Sequence, residues 1–204
     1  MILPPLLEPA FPIVVSGPSG VGKTVLCRRL LRRIPFAVRA VTATTRPPRG
    51  RERPGRSYFY YDRARFLEER DRGGLAEWAE VHGHFYGTPR PWLEQKLREG
   101  RCVVLNIDVQ GGPNLRRVFP EALLIFIMPP SLEVLEERLR QRATDTPEEI
   151  ARRLQRAVEE MKALPVYDYV VVNQTLSRAA SELAGIVRAE RARVARCLVA
   201  PARA

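Results

Sequence analysis

Gly17-Pro18-Ser19-Gly20-Val21-Gly22-Lys23-Thr24 fills every fixed position of the phosphate-binding pattern G-x-x-x-x-G-K-[ST]. An apolar run at 11–16 predicts a buried strand before it, and the apolar spacing of 25–31 predicts a helix after it. Such a loop turns backbone amides inward and adds the positive end of a helix dipole, so it binds anions. We therefore predict a P-loop for nucleotide phosphates, in which Lys23 contacts the β- and γ-phosphates and the Thr24 hydroxyl ligates Mg²⁺.

The length of 204 residues predicts one domain, with room for insertions and a core that needs no disulfides. Cys27, Cys102 and Cys197 are odd in number and lie in apolar runs, which favours reduced thiols in core positions. Residues 1–10 carry three prolines and no basic segment, so we interpret them as a flexible or docked leader. With no apolar run of about 18 residues, we expect no membrane span and a cytoplasmic protein.

The net charge of +11 raises the question of nucleic-acid binding. Its excess is split between the P-loop end and the C-terminal segment, and no nucleic-acid-binding motif is visible. Anionic small substrates explain the charge more economically than a nucleic acid as principal partner. The sequence leaves open whether the protein is a monomer or a homo-oligomer.

The order of predicted elements indicates a parallel sheet covered by helices on both faces. A second strand at 36–42 is followed by an arginine-rich loop with recurrent Pro and Gly at 44–56, which opens an inserted subdomain at 43–90. The insert has predicted strands at 57–61 and 75–81 and a helix at 63–72. Beyond it we predict helices at 92–99, 112–118, 132–140, 147–163 and 176–197, and buried strands at 102–107, 122–128 and 169–172. Ser131 and Thr146 are the predicted N-caps of two of these helices.

Several segments, in order and spacing, closely resemble guanylate kinase. They are 44–49, 77–83, 86–89, 107–111, 129–131, 142–145 and 167–173, and the likeness extends to about residue 190. The resemblance implies a P-loop nucleoside monophosphate kinase with three parts: a core at 11–42, 91–134 and 158–204, which includes the C-terminal helix; a GMP-binding insert at 43–90; and a helical lid at 135–157. It also implies the reaction of ATP with GMP to give ADP and GDP.

The resemblance further implies which residues hold the phosphates. Arg46, Arg49 and Tyr58 would bind the GMP phosphate, with Glu52 nearby. By the same resemblance, Thr42 and Tyr86 would complete this acceptor site. Arg138, Arg142 and Arg153 would reach the ATP phosphates from the lid, and Asn173 would contact ATP. Lys23, Arg46 and the three lid arginines form the implied catalytic set, because arginine binds phosphate in a bidentate manner and neutralises the transferred group.

Guanine selection follows from hydrogen-bond types. A carboxylate accepts from guanine N1–H and N2–H together, while a hydroxyl donates to O6. The resemblance assigns these roles to Glu77 and Thr88, with Asp108 as a second acceptor for N2. Adenine lacks the second donor, and sites built this way discriminate by about 10⁴.

Asn106 departs from the family pattern, because it stands at the position where an acid usually ends the apolar strand 102–105. A neutral amide therefore replaces the carboxylate expected beside Mg²⁺. Asp108 is the candidate to cover part of the role of that carboxylate. Two alternative functions remain open: a non-catalytic interaction domain of guanylate-kinase type, and a kinase for a phosphorylated sugar. Intact Gly22, Lys23 and Thr24 argue against the first. The insert residues Glu77, Tyr86 and Thr88 argue against the second.

Overall fold

The computed structural model describes residues 8–50, 52–81, 83–141 and 146–198. Its central sheet has five parallel strands in the order β2-β7-β1-β8-β9. They are β1 (Pro12–Ser16), β2 (Ala37–Arg39), β7 (Cys102–Asn106), β8 (Leu123–Met128) and β9 (Tyr169–Val172). In sheets of this kind ligands bind beyond the carboxyl ends of the strands, where the P-loop follows β1.

Helices cover both faces of this sheet, which confirms the predicted parallel core flanked by helices. On one face α1 (Lys23–Arg33) and α7 (Leu176–Arg191) pack against Ile13 and Val15. On the other face α3 (Arg90–Arg98) and α4 (Gly111–Val118) pack against Val14. Side chains of a strand alternate between faces, so a continuous apolar run such as β1 supplies both hydrophobic cores.

A second, mixed sheet has the strand order β4-β3-β6-β5. Its strands are β3 (Thr42–Thr44), β4 (Tyr58–Tyr60), β5 (Leu75–Val81) and β6 (His84–Pro89). Helix α2 (Arg63–Asp71) covers it through Phe66, which packs with Phe85 in a separate small core. Strand β6 was not predicted, because its residues lack apolar alternation and are ordered by antiparallel pairing with β5.

The prediction of one strand at 36–42 was wrong. The structure has two strands here, of which β2 belongs to the central sheet and β3 to the second sheet. Ala40 makes the last backbone bond to the central sheet, from its N–H to Val104 O at 2.9 Å. The chain then crosses between sheets inside one apolar run, and the hydropathy pattern carries no mark of that crossing.

Two helices, α5 (Leu132–Arg140) and α6 (Pro147–Met161), pack against each other through a small core of their own. The predicted caps are confirmed. Ser131 accepts a hydrogen bond from Val134 N, and Thr146 forms a capping box with Glu149 ahead of Pro147. Helix α6 ends at Met161, two residues before the predicted end, and a 3₁₀ turn follows at Leu164–Val166.

Three expectations for the C-terminal part need correction. Strand β9 is an edge strand and not a buried one, with Val170 and Val172 each 46% exposed. The helix predicted at 176–197 is two helices, α7 and α8 (Val194–Cys197), because the chain turns at 192–193. Cys197 is half-buried, whereas Cys27 and Cys102 are buried as expected, and all three are free thiols.

In the described part of the chain no helix has the length and apolar character needed to cross a membrane.

Candidate functional site

The P-loop, residues 17–24, encloses a cavity of about 220 Å³ that we call the loop cavity. Gly17 has φ +137°, and a Cβ at this position would lie 2.2 Å from Ile127 O, so only glycine fits here. Helix α1 begins directly after Gly22 and points its N-terminus at the cavity. The Lys23 ammonium crosses the loop and donates to Gly17 O at 2.5 Å and Pro18 O at 3.0 Å.

Asn106 stands at the end of β7, beside the end of β1, and lines the loop cavity. Its Nδ2 donates to Thr24 Oγ1 at 3.1 Å. None of the described residues that line the loop cavity is a carboxylate, and no cluster of three His, Cys, Asp or Glu with metal-ligand geometry occurs in the described chain. Such a lining fits an Mg²⁺ ion only as the partner of nucleotide phosphates, with the Thr24 hydroxyl oxygen as a candidate protein ligand.

A second cavity of about 290 Å³, the cleft cavity, opens between the two sheets. It is lined by seven of the residues singled out by sequence: Lys23, Thr42, Tyr58, Glu77, Tyr86, Asn106 and Asp108. Lys23 and Asn106 line both cavities. Lys23 therefore borders both cavities, while its ammonium is held by the carbonyls of Gly17 and Pro18.

Glu77 is 6% exposed, and its Oε1 accepts a hydrogen bond from the Thr88 hydroxyl at 2.6 Å. The pairing of β5 with β6 places the two residues opposite each other. Burial raises the pKa of Glu77 to about 7; the hydrogen bond from Thr88 opposes this, and the nearby charge of Asp108 adds to it. A threonine hydroxyl has one proton, so Thr88 uses its proton to orient Glu77 in this structure.

Asp108 lies at the entrance to α4 and lines the cleft cavity. Its Oδ1 accepts the backbone amides of Gln110 at 2.9 Å and Gly111 at 2.7 Å. These bonds fix the carboxyl group, and its second oxygen is the atom that can take a ligand donor.

Arg46 and Glu52 form a bidentate ion pair in the loop between β3 and β4, with N–O distances of 2.9 and 3.0 Å. Arg46 is 5% exposed, and its guanidinium stands 5.2 Å from the centre of the Tyr58 ring. The hydrogen bond from Arg46, helped by the Arg49 amide, lowers the pKa of Glu52 to about 2. Glu52 thus holds Arg46 beside the cleft cavity, while the Arg49 side chain is exposed.

Tyr60 is a residue of this site that the sequence analysis missed. Its hydroxyl donates to Glu52 Oε2 at 2.9 Å. The signal was the spacing, because Tyr58 and Tyr60 are two apart on β4 and face the same side. Tyr58 lines the cleft cavity and Tyr60 stabilises the acid that holds Arg46.

Arg138 and Asn173 lie on the other side of the P-loop. Arg138 Nη2 donates to Asn173 O at 2.8 Å, and Asn173 Nδ2 donates to Val21 O at 2.7 Å. In the described chain two buried atoms here, Arg138 Nη1 and Asn173 Oδ1, have no protein partner. Arg153 is half-buried on α6, and the predicted Arg142 lies outside the described residues.

Both the sequence and the fold of this chain match known proteins. Residues 10–190 match the family model described as Guanylate kinase. A guanylate kinase of Myxococcus xanthus is 47% identical over 92% of this chain and 90% of its own length. One of Aromatoleum aromaticum is 48% identical over 90% of each chain. The crystal structure of guanylate kinase from Anaplasma phagocytophilum is similar with a TM-score of 0.75 and 35% identity, over 94% of this chain and 92% of that chain.

Proposed function

Because this chain belongs to the guanylate kinase family and is therefore a nucleoside monophosphate kinase, we propose that it transfers the γ-phosphoryl group of ATP to GMP or dGMP. The products are ADP and GDP or dGDP. One observation carries the proposal: Lys23 and Asn106 line both the loop cavity and the cleft cavity. ATP in the first and GMP in the second would therefore bring the γ-phosphate and the acceptor phosphate together at Lys23.

The proposed reaction needs little covalent assistance. The GMP phosphate has a second pKa of about 6 and is largely a dianion at neutral pH, so its oxygen attacks without a general base. That oxygen bonds to the γ-phosphorus, the bond to the β–γ bridging oxygen breaks, and ADP leaves with the electron pair. Catalysis then consists of alignment and charge neutralisation, the roles assigned to Lys23, Arg46, Arg138, Arg142 and Arg153.

The acceptor base is proposed to lie in the cleft cavity against Glu77. The buried carboxylate would accept guanine N1–H and N2–H, and Asp108 would accept from N2 with its second oxygen. Binding of O6 by Thr88 requires its proton to turn from Glu77 to the base, which becomes favourable once guanine supplies two donors to that carboxylate. Tyr58, Arg46 and Arg49 would then hold the GMP phosphate beside Lys23, with Thr42 and Tyr86 completing the wall.

Magnesium is proposed to enter with ATP, and it would supply positive charge that neutralises the phosphates. The Thr24 hydroxyl would be its protein ligand, and the Asn106 amide would orient that hydroxyl. We also propose that the reaction serves purine nucleotide metabolism in the cytoplasm, where three free thiols stay reduced.

The decisive experiment measures ADP formed from Mg-ATP with GMP, dGMP, AMP, ribose 5-phosphate or no acceptor. We expect turnover with GMP and dGMP alone. Turnover with the sugar phosphate would support the sugar kinase instead. Absence of turnover with every acceptor, together with tight peptide binding, would support the interaction domain.

A further inference from the structure

Helices α5 and α6 touch the P-loop directly at two neighbouring residues. The backbone N–H of Ser19 donates to Glu160 Oε2 at 3.1 Å, from the last turn of α6. Gly20 has φ +88°, and a Cβ there would lie 2.7 Å from Leu139 Cδ2 on α5. The small core shared by α5 and α6 therefore sits on the P-loop itself.

The position of Glu160 on α6 connects this contact to an arginine. Arg153, Ala157 and Glu160 are spaced by four and three residues, which places them on one face of the helix. Ala157 is fully buried, so this face is turned toward the protein. Seven residues of helix span roughly 10 Å, and a shift of the Glu160 end therefore moves Arg153 as part of the same rod.

The neighbouring acid on α6 shows what an ordinary surface carboxylate does here. Glu159 is exposed and pairs with Lys162, three residues away, at 2.7 Å. Glu160 instead reaches across 141 residues of sequence to a P-loop amide. A carboxylate next to an anion site opposes anion binding. The position of Glu160 beside the P-loop is therefore not that of an ordinary solvated surface charge.

We propose that Glu160 is a positioning residue that seats α6 on the P-loop and so sets the reach of Arg153 toward the ATP phosphates. The inference rests on the proposed function, since Arg153 acts on those phosphates. Glu160 touches the amide of Ser19 and acts on the reaction only through the helix.

The test uses Glu160→Ala and Glu160→Gln, with Glu159→Ala as the matched control. Glu160→Ala loses the acceptor oxygen, and we expect kcat to fall about tenfold with KM for GMP changed less than about twofold. Glu160→Gln keeps an acceptor oxygen and should stay within about threefold of the wild type. Glu159→Ala should leave kcat unchanged.

A double-mutant cycle with Arg153→Ala identifies the route of the effect. Because Glu160 acts through Arg153, Glu160→Ala should cost nothing further in the Arg153→Ala background. Independent, multiplying losses would contradict the proposal. So would a wild-type kcat in Glu160→Ala, or a loss in Glu160→Gln as large as in Glu160→Ala. Tighter ATP binding with unchanged turnover would overturn it too, since the carboxylate would then merely compete with phosphate.

Amide hydrogen exchange separates this inference from the proposed function. Without any acceptor, α6 amides should exchange faster in Glu160→Ala than in the wild type and in Glu160→Gln. Equal exchange in all three proteins would refute the seating of α6 on the P-loop by Glu160, whether or not GDP is made. If the wild type fails to make GDP but the exchange difference is present, the proposed function is refuted, whereas the seating of α6 by Glu160 is supported.

Discussion

Glu77 is a carboxyl group taken out of water by the pairing of β5 with β6, and its pKa is raised to about 7, chiefly by burial. Guanine N1–H and N2–H need an ionised acceptor. We therefore expect KM for GMP to fall as the pH rises through 7, and this part of the pH dependence to be lost in Glu77→Gln. The part near pH 6, which comes from ionisation of the GMP phosphate, should remain in both proteins. Steady-state kinetics from about pH 5.5 to 8.5 measure it. A KM that ignores pH in the wild type would contradict the assignment of Glu77.

The same carboxyl group affects stability. Its folded-state pKa lies above the unfolded value of 4.5, so the folded protein holds the proton more tightly. That contribution to stability is complete below pH 4.5 and is lost as the pH rises through 7. Glu77→Gln should therefore stabilise the ligand-free protein at pH 8 by about 1–3 kcal/mol and relax the preference for GMP over AMP.

Thermal unfolding at pH 5 and 8, with kcat/KM for both nucleotides, checks these expectations. Glu80→Gln is the control, because Glu80 lies on the same strand and is exposed. An equal effect of both variants on stability would show that burial is not the cause. An unchanged kcat/KM ratio would remove Glu77 from base recognition.

Asn106 contributes an amide to a cavity whose described lining contains no carboxylate. In Asn106→Asp a negative charge replaces the donor to Thr24 Oγ1, next to the proposed magnesium position. We expect the Mg²⁺ concentration for half-maximal rate to fall about tenfold. We also expect Mn²⁺ to bind without nucleotide, as seen by electron paramagnetic resonance. Unchanged metal dependence, with no Mn²⁺ bound, would place the metal away from Asn106.

Among the elements, α6 begins with the most complete local signal, the capping box of Thr146 and Glu149 ahead of Pro147. Thr146 Oγ1 accepts a hydrogen bond from Glu149 N at 3.3 Å, and Glu149 Oε2 accepts one from Thr146 N at 2.9 Å. Thr146→Ala should lower the free energy of unfolding by about 1 kcal/mol, as loss of an N-cap does. Urea unfolding measures this, with Thr146→Ser as the variant that keeps the hydroxyl. Equal destabilisation by both variants would show that the hydroxyl is not the stabilising group.

The elements also show where local signals end. Edge strand β9 and central strand β1 are both short apolar runs, yet only β1 has neighbours on both sides. A strand's place in the sheet depends on which other strands pair with it, and hydropathy does not contain that information. The apolar run therefore predicted a buried strand, whereas β9 lies at the exposed edge of the sheet. Strand β6 shows the reverse, since pairing with β5 orders a run that hydropathy did not mark.

At the scale of the whole molecule, the buried carboxylate of Glu190 holds the last described strand and helices together. Glu190 accepts the Tyr169 hydroxyl at 2.7 Å and the guanidiniums of Arg193 at 3.3 Å and Arg196 at 3.1 Å. Burial raises the pKa of Glu190, but the hydrogen bonds from Tyr169, Arg196 and Arg193 outweigh it, and the net shift is downward. The cluster joins β9, α7 and α8.

Removal of this carboxylate leaves the guanidiniums of Arg193 and Arg196 without a carboxylate partner, although Arg196 keeps its hydrogen bond to Glu121 O at 2.8 Å. Glu190→Ala should lower the free energy of unfolding by about 3 kcal/mol, while kcat per folded molecule stays unchanged. The cluster lies where β9 begins, and the P-loop lies beyond the opposite ends of the parallel strands. Chemical unfolding and active-site titration test this, with exposed Glu182→Ala as the control. A loss of kcat in the folded fraction would contradict it.

The sequence by itself determined the P-loop, the alternation of strands and helices, the α/β class and the caps of α5 and α6. The structure confirms the class and the caps, and the match to a solved guanylate kinase confirms the P-loop fold. These features depend on residues within a few positions of one another, and local backbone geometry and apolar periodicity act at that range.

Tertiary structure alone decided the contacts that make the site. Asn106 meets Thr24 across 82 residues, and Glu160 meets Ser19 across 141. The pairing of Thr88 with Glu77 depends on the register of β5 and β6, and the crossing between sheets at 40–42 depends on which strands compete for that run. Each is a consequence of packing between distant segments, where the free energy of a pair depends on burial and partners that no local pattern contains.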